Sequence, residues 1–220
     1  LNQATKAIVQ SGNFIWSSNT YADIPKSSVP EVAFLGRTNV GKSTLLRGIL
    51  GQDIVRASKK RNSTKSINAF QICGNDKFKT MTLIDTPGYG FSASEKVGSE
   101  ILEYLTRRPN LRRVFLLADI SHGFKDTDKA IANLFLRRSI PWQLVWVKLD
   151  NMKGGNKTLE ERFEDGFKLV NANPNGFREI IACSALKNPK QGLEDLRFAI
   201  LRAGGLMQDD YKYCSSRKSE

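Results

Sequence analysis

The sequence predicts an α/β domain in which a mostly parallel sheet of six strands is covered by helices on both faces. Two observations support this prediction. Apolar or β-branched runs alternate with segments of helical spacing along most of the chain, and a glycine-rich loop joins the first of these runs to the first helix. With 220 residues and 40% hydrophobic content, the chain is long enough to bury the core of one such domain.

The predicted elements alternate between strand and helix. Six short runs rich in apolar and β-branched residues are predicted as strands, over residues 31–35, 67–73, 80–84, 114–119, 143–148 and 179–183. Five segments with apolar residues three and four positions apart are predicted as helices, over residues 43–50, 94–107, 126–137, 158–170 and 192–201. We therefore expect the α/β domain to span residues 31–203, after an N-terminal extension over 1–30 and before a flexible tail over 204–220.

The chain is strongly basic, with a formal net charge of +12 and a pI near 9.7. Its basic residues cluster at 56–61, at 107–108 together with 112–113, and at 137–138. A polyanionic partner, with nucleic acid as the leading candidate, explains this balance, and a merely solvated basic surface is the alternative. No apolar run approaches the roughly 18 residues of a membrane span, so we expect no membrane partner.

The most specific motif is Gly-Arg-Thr-Asn-Val-Gly-Lys-Ser over residues 36–43, which we call the P-loop. It matches the pattern G-x-x-x-x-G-K-S and lies between a predicted strand and a predicted helix, which is the context that this pattern requires. In such a loop the backbone N–H groups hold the phosphates, the lysine reaches the outer phosphates and the serine hydroxyl ligates Mg²⁺. The motif predicts a nucleoside triphosphate site formed by Gly36, Asn39, Val40, Gly41, Lys42, Ser43 and Thr44.

Two further segments serve the metal ion and the terminal phosphate. Asp85 ends a predicted strand and is expected to hold Mg²⁺ through water, and the N–H of Gly88 is expected to meet the γ-phosphate. Thr64 lies in a polar segment between the first helix and the second strand, where a switch segment presents a hydroxyl to Mg²⁺. Ser63 and Ser66 remain alternatives for that hydroxyl. The predicted magnesium ligands are Ser43, Thr64 and Asp85.

Residues after the last two strands predict the base. A carboxylate at Asp150 accepts hydrogen bonds from N1–H and from the 2-amino group of guanine, and adenine has neither donor. The Lys148 stem is placed to lie along the base, and a backbone N–H among Ser184, Ala185 and Leu186 is placed to donate to guanine O6. These residues predict GTP. A small P-loop kinase or ATPase is a disfavoured alternative, because Lys148 and Asp150 are present and no arginine-rich lid is visible.

With these motifs in this order, the chain resembles the EngB family, which comprises small single-domain GTPases of the TRAFAC class. The resemblance covers roughly residues 30–203, and its most specific part is the run Asp-Thr-Pro-Gly-Tyr-Gly-Phe from residue 85. The P-loop sequence also carries it, and so do Thr64, Ile67, Asn68, Tyr104, Leu105, Arg108, Asn110, Leu111, Asp119, Lys125, Asp126, Asp128, residues 184–187, Gln191 and Gly192.

The resemblance implies a Ras-like P-loop G domain whose sheet has one antiparallel strand. It implies a GTP/GDP cycle with Mg²⁺, in which Lys42, Thr64 and Gly88 act in catalysis, and a role in assembly of the large ribosomal subunit. Contact with rRNA and ribosomal proteins fits the basic charge, and we expect a monomer. The high pI, the non-methionine start and an altered base-recognition motif lead us to expect a mitochondrial matrix protein, with the bacterial cytoplasm as the alternative.

Two positions bear on the rate of hydrolysis. Many GTPases carry a water-orienting glutamine just after Asp-x-x-Gly, and this chain has Tyr89 there, so we predict slow intrinsic hydrolysis. Asn39 corresponds to an asparagine with which related GTPases hold K⁺ beside the phosphates, where the cation supplies the charge that an arginine finger otherwise brings. We therefore predict K⁺- and ribosome-stimulated hydrolysis with Asn39 in a catalytic role. A role limited to bracing the loop is the alternative.

Val147 departs from the family, which has threonine there, whereas most GTPases have asparagine. The missing polar atom normally ties the base-recognition loop to the P-loop, and losing such a hydrogen bond costs roughly 1–3 kcal/mol if its partner stays buried. We expect weakened guanine affinity. The departure leaves room for a second interpretation, a nucleotide-poor scaffold that binds the ribosome without cycling, although the retained Lys42, Ser43, Thr64 and Asp85 favour a working GTPase.

Overall fold

A seven-stranded mixed sheet organises the molecule. The computed structural model describes residues 12–50, 66–72, 80–90, 95–154, 157–186 and 191–206. The strands are β1 (Asn13–Ser18), β2 (Glu31–Gly36), β3 (Ile67–Ile72), β4 (Met81–Asp85), β5 (Leu111–Asp119), β6 (Trp142–Val147) and β7 (Gly176–Cys183). Their order across the sheet is β1-β3-β4-β2-β5-β6-β7.

The strand directions confirm the predicted α/β class and correct the predicted strand number. β3 pairs antiparallel with β1 and with β4, and every other pairing in the sheet is parallel. The sheet has seven strands because β1, from the segment predicted as an N-terminal extension, adds to the edge at β3. A register shift between Phe14 and Trp16 interrupts the alternation of this short strand, which explains why its pattern is weak in the sequence.

All five predicted helices are present in the structure. They are α1 (Lys42–Leu50), α2 (Glu95–Arg107), α3 (Asp126–Arg137), α4 (Leu159–Asn171) and α5 (Leu193–Ala203), with one 3₁₀ helix at Leu149–Gly154. Thr158 caps α4 by accepting a hydrogen bond from the Glu161 N–H, and the Glu161 carboxylate accepts one from the Thr158 N–H. Among the described residues, no helix is long and apolar enough to cross a membrane.

The helices cover the two faces of the sheet and bury the central strands from both sides. α1 and α5 contribute to one apolar cluster, and α2, α3 and α4 contribute to the other. All six residues of β2 and all six of β6 are buried, because each strand lies between the two clusters. This double burial explains why the sequence of these strands shows continuous apolar runs rather than alternation.

The parallel strands bring the predicted site residues to one edge of the sheet. The carboxyl ends of β2, β4, β5, β6 and β7 meet there, as in other open parallel sheets that bind ligands at that edge. The P-loop follows β2, Asp85 ends β4, Asp119 ends β5, and the segments from Lys148 and from Ser184 follow β6 and β7. We call this edge the carboxyl edge, and the opposite one the amino edge.

A buried ion pair holds the amino edge together. The Arg108 guanidinium binds the Glu31 carboxylate through two hydrogen bonds, 2.9 Å from Nε to Oε2 and 2.6 Å from Nη2 to Oε1. The Tyr104 hydroxyl donates to Glu31 Oε2 at 2.6 Å. Burial and the adjacent Glu31 carboxylate raise the pKa of Tyr104 well above its ordinary value, so the phenol stays protonated and donates. These three side chains fasten α2 to the start of β2.

Candidate functional site

The backbone of the P-loop is fixed by close packing. A Cβ atom on Gly36 would lie 2.8 Å from Val40 Cγ1 and 3.1 Å from the Leu117 carbonyl oxygen, so only glycine fits at the end of β2. Gly41 has a φ of 111° and Asn39 a φ of 63°, the left-handed region that glycine and asparagine tolerate best. The Val40 N–H donates to the Arg37 carbonyl at 3.1 Å. These contacts and backbone angles define the curled shape of the loop.

The strand-end carboxylate of β4 lies against the P-loop lysine. The Lys42 ammonium lies 3.0 Å from Asp85 Oδ1, and both side chains are largely shielded from solvent. Thr86 follows Asp85 and donates its hydroxyl to the Phe34 carbonyl at 2.7 Å, which fixes this segment to β2. Lys42, at the start of α1, and Asp85 thus converge on one point at the carboxyl edge.

The segment after Asp85 packs directly on the P-loop. A Cβ atom on Gly88 would lie 2.8 Å from Thr38 Cα, so a side chain at this position would force the two loops apart. The Thr38 N–H donates to the Tyr89 carbonyl at 3.0 Å, and the Tyr89 N–H donates to the Gly36 carbonyl at 3.2 Å. These contacts place Gly88 beside the P-loop, and the contact of its N–H with the γ-phosphate stays a prediction.

Tyr89 binds a buried carboxylate at the start of α3. Its hydroxyl donates to Asp128 Oδ1 at 2.7 Å, and the Arg37 Nε lies 3.3 Å from Asp128 Oδ2. Asp128 also accepts from the Lys125 N–H at 2.8 Å and is fully buried. Burial and the Asp128 charge raise the pKa of Tyr89 far above its ordinary value, so its proton stays on the phenol. Because its hydroxyl is hydrogen-bonded to Asp128 and its N–H to Gly36, Tyr89 links the P-loop to α3.

Lys148 joins three segments of the carboxyl edge. Its ammonium donates to the Asn39 carbonyl at 3.1 Å and lies 2.9 Å from Asp119 Oδ2. Burial alone would raise the pKa of Asp119, but hydrogen bonds from Lys148 and Ser121 outweigh it and hold that pKa below its ordinary value. Lys148 has a φ of 60°, which turns the chain sharply at the end of β6. The lysine thereby supplies a tie from the base-recognition segment to the P-loop that Val147 cannot.

Asp150 is oriented by a residue from the neighbouring strand end. The Ser184 hydroxyl donates to Asp150 Oδ1 at 2.6 Å. The Ser184 N–H donates to the Gln191 carbonyl at 3.0 Å, so of the three predicted donors to guanine O6 this one is engaged within the fold. Ala185 and Leu186 remain the predicted donors. Ser184 belongs to the site as a positioning residue for the carboxylate.

A cleft runs between the P-loop helix and the segments after β6 and β7. Val147 lies beneath it, only 3% exposed, and Leu186 stands at its rim with 76% of its surface exposed. The residues that line it are Gly41, Thr44, Leu45, Val147, Lys148, Asp150, Cys183, Ala185 and Leu186. Apolar walls with one carboxylate at the end fit a flat heteroaromatic base that carries two N–H donors.

The structure narrows the choice of switch hydroxyl. Ser66 is buried and donates its hydroxyl to Asn19 Oδ1 at 2.7 Å, so it is committed to the fold. Thr64 and Ser63 lie outside the described residues, and Thr64 stays a prediction. Sequence reasoning assigned no role to Asp119 or Asp128, which the structure places at the centre of two polar networks. Position at the end of β5 was the available signal for Asp119.

The family comparisons agree with this geometry. A family model described as a 50S ribosome-binding GTPase matches residues 31–148. A probable GTP-binding protein EngB from Chelativorans sp. is 37% identical over 190 residues, covering 82% of this chain and 83% of the relative. A second, from Nitrobacter hamburgensis, is 32% identical over 211 residues, covering 93% and 94%.

Solved structures with lower identity share the fold. A variant of Aquifex aeolicus Era bound to GDP·AlF₄⁻ has a TM-score of 0.59 at 23% identity over 83% of this chain and 58% of that one. A GTP-binding protein from Sulfolobus solfataricus in complex with GDP has a TM-score of 0.58 at 19% identity, covering 80% of this chain. The chain spans only 52% of the length of that protein. Because the family model and the EngB relatives match most of its length, the chain belongs to the EngB family of P-loop GTPases.

Proposed function

We propose that this protein binds GTP and GDP at the carboxyl edge, hydrolyses GTP, and acts in assembly of the large ribosomal subunit. The observation that carries the proposal is that a phosphate-binding end and a base-binding end both lie at the carboxyl edge, beside the P-loop. The Lys42–Asp85 contact of 3.0 Å marks the phosphate end, and the Ser184–Asp150 contact of 2.6 Å marks the base end. P-loop backbone N–H groups fit phosphate oxygens, and the Asp150 carboxylate fits N1–H and the 2-amino group of guanine.

The donor set at the phosphate end fits Mg²⁺. The Ser43 hydroxyl and the Asp85 carboxylate are oxygen donors, which this hard cation prefers, and it completes its shell with water and phosphate oxygens. When bound, Mg²⁺ would neutralise charge on the outer phosphates. We assign Ser43 and Asp85 to this ion, with Thr64 as a third proposed ligand. Lys42 would turn from Asp85 to the phosphates and balance their charge.

The arrangement around Tyr89 supports slow intrinsic hydrolysis. A catalytic glutamine orients the attacking water, whereas the Tyr89 hydroxyl points to Asp128 and leaves that task without a side-chain amide. The proposed Asn39 site for K⁺ would add positive charge beside the phosphates. Asn39 has a φ of 63°, and its carbonyl accepts a hydrogen bond from the Lys148 ammonium, which restrains the backbone at this position.

The ribosomal partner and the compartment are the finer parts of the proposal. The net charge of +12 supports contact with rRNA, and we place the protein in the mitochondrial matrix because of its pI near 9.7 and altered base-recognition motif. Val147 supports the second candidate, a nucleotide-poor scaffold. It is buried and offers no polar atom at a position that usually provides one.

Turnover of GTP by the purified protein, in K⁺ and in Na⁺, tests the enzymatic proposal. We expect slow turnover alone, and at least a tenfold increase when K⁺ and large ribosomal subunits are both present, because the cation and an ordered switch segment supply transition-state charge. Asn39→Ala should lose the K⁺ effect and retain GDP binding. Equal turnover in both salts, with and without subunits, would contradict the K⁺ mechanism, and no turnover in any condition would favour the scaffold.

A further inference from the structure

Exposed arginines gather at the amino edge of the sheet, at the end of the molecule opposite the nucleotide cleft. Arg107 is the last residue of α2, Arg137 is the last residue of α3 and Arg138 caps that helix. Arg112 lies at the start of β5. All four side chains are exposed, and we call them together the basic end. Because α2 and α3 each return from the carboxyl edge, their last turns reach the same edge at which β5 begins.

Backbone contacts keep these segments close to one another. Arg112 is the extra residue of a bulge, since Leu111 pairs with Glu31 and Arg113 pairs with the next residue, Val32. Such a bulge redirects a side chain away from the regular sheet positions. The Val114 N–H donates to the Pro141 carbonyl at 2.9 Å, which ties the turn after α3 to the start of β5. Neighbouring strands lie about 5 Å apart, well within the reach of arginine side chains.

The adjacent arginines in the sequence are not part of this surface. Arg108 is buried in its ion pair with Glu31, at 2.6 Å. Arg113 is also buried, with its guanidinium 3.4 Å from the centre of the Phe177 ring and 2.8 Å from Gln143 Oε1. Burial lowers the pKa of Arg113 to about 10. In each of the sequence clusters 107–108 and 112–113, the first arginine is therefore exposed and the second is buried.

Little acidic charge opposes the basic end. Within the described part of the chain, Arg112, Arg137 and Arg138 form no ion pair with a carboxylate. Arg107 pairs with Glu103 at 2.8 Å on an exposed helix turn, a contact of the kind that contributes little energy in water. Guanidinium groups match phosphate oxygens in charge and in planar geometry. The surface is thus complementary to a nucleic acid backbone.

We propose that the basic end binds the phosphate backbone of RNA, so that the nucleotide cleft and the RNA contact lie at opposite edges of the sheet. This inference rests on the proposed function, which supplies ribosomal RNA as the source of the backbone. The contact reads charge rather than sequence, because no base-reading module accompanies these arginines. Because the two sites do not overlap, bound RNA leaves the nucleotide cleft open to solvent.

The test replaces Arg112, Arg137 and Arg138 together with glutamine in the full chain. A fluorescein-labelled RNA stem-loop is titrated between 50 and 200 mM KCl by anisotropy. We expect at least a tenfold weaker affinity at 100 mM KCl. The slope of log K against log salt should be smaller by about two to three, because the counterions that the three lost phosphate contacts displace are no longer released. Affinity for GDP should stay within about twofold of wild type, since none of the three residues lines the cleft.

The matched control replaces three exposed lysines away from the amino edge, K96Q/K129Q/K157Q, with the same loss of charge. An equal loss of RNA affinity in both triple variants would overturn the proposal, because net charge alone would explain it. Unchanged RNA binding in R112Q/R137Q/R138Q would also overturn it, and with lost sedimentation on large subunits it would indicate a protein partner. If neither variant nor wild type binds GDP, the proposed function fails independently, while a selective loss of RNA affinity would still support the basic end.

Discussion

Replacing Asp150 with asparagine is expected to lower the affinity for GDP by roughly 10²- to 10⁴-fold and to create affinity for xanthosine diphosphate. The carboxylate accepts from two donors of guanine, whereas an asparagine has one oxygen that can still accept and one NH₂ group that would face the second donor. Charge-assisted hydrogen bonds of this kind contribute about 1.5–3 kcal/mol each. Xanthine carries an oxygen where guanine carries the 2-amino group, so the new NH₂ group can donate to it.

Competition of GDP and of xanthosine diphosphate against a fluorescent GDP analogue measures the affinity of the variant for each nucleotide. The Ser184 hydroxyl, 2.6 Å from Asp150 Oδ1, can donate equally to the asparagine oxygen, so the side chain should keep its orientation. Asp126→Asn is the control, since that side chain is fully exposed and does not line the cleft. A folded Asp150→Asn variant that keeps its GDP affinity would contradict the assignment, and so would one that binds neither nucleotide.

Replacing Arg108 with methionine is expected to lower the free energy of unfolding by about 3–5 kcal/mol. The change removes one partner of a buried pair. Among the described residues, the Tyr104 hydroxyl is then the remaining partner of the Glu31 carboxylate, which is 1% exposed. The fall in Tm should be roughly 10 °C for a chain of this size, measured by calorimetry or circular dichroism. Nucleotide affinity of the folded fraction should not change, because the pair lies at the amino edge.

A double variant separates the unpaired charge from a general packing defect. Glu31→Gln with Arg108→Met removes the charge while keeping an acceptor for Tyr104, so it should be more stable than Arg108→Met alone. Arg107→Met is the matched control, because its side chain is 70% exposed and its loss should change stability little. Independent, additive effects of the two buried substitutions would contradict the view that Glu31 and Arg108 act as a pair.

Much of the architecture could be predicted because local patterns and global fold agree. The strands buried on both faces, such as β2 and β6, are continuous apolar runs, and all five helices carry a regular apolar stripe. The P-loop is predictable for a different reason. Gly36 is required by the close approach of Val40 and Leu117, and Gly41 is required by its positive φ. The glycines of the motif therefore indicate the backbone conformation directly.

The rest depends on contacts between distant parts of the chain. β1 is stabilised by pairing with β3, and its bulge hides the alternation that would reveal a strand. The partnership of Tyr89 with Asp128 joins residues 39 positions apart, and Asp128 resembles an ordinary helix-capping residue in the sequence. The Ser184 N–H donates to the Gln191 carbonyl, and this backbone–backbone hydrogen bond cannot be predicted from the side chains of the two residues.

The departure at Val147 does not leave the base-recognition segment without a link to the P-loop. The sequence suggests that the link between the base-recognition segment and the P-loop is lost. In the structure, Lys148 makes that link through the Asn39 carbonyl at 3.1 Å and is itself held by Asp119 at 2.9 Å. The base-recognition segment therefore keeps one link to the P-loop, which supports a working guanine site over a degenerate one.

Sedimentation with large ribosomal subunits tests the central claim most directly, because it joins nucleotide state to the ribosome. The protein is spun through sucrose with purified subunits in K⁺ and Mg²⁺, with a non-hydrolysable GTP analogue, with GDP or without nucleotide. The account predicts co-sedimentation with the GTP analogue and release with GDP. Equal co-sedimentation in all three conditions would contradict it and identify a scaffold that does not use the nucleotide, and no co-sedimentation in any condition would remove the ribosomal role.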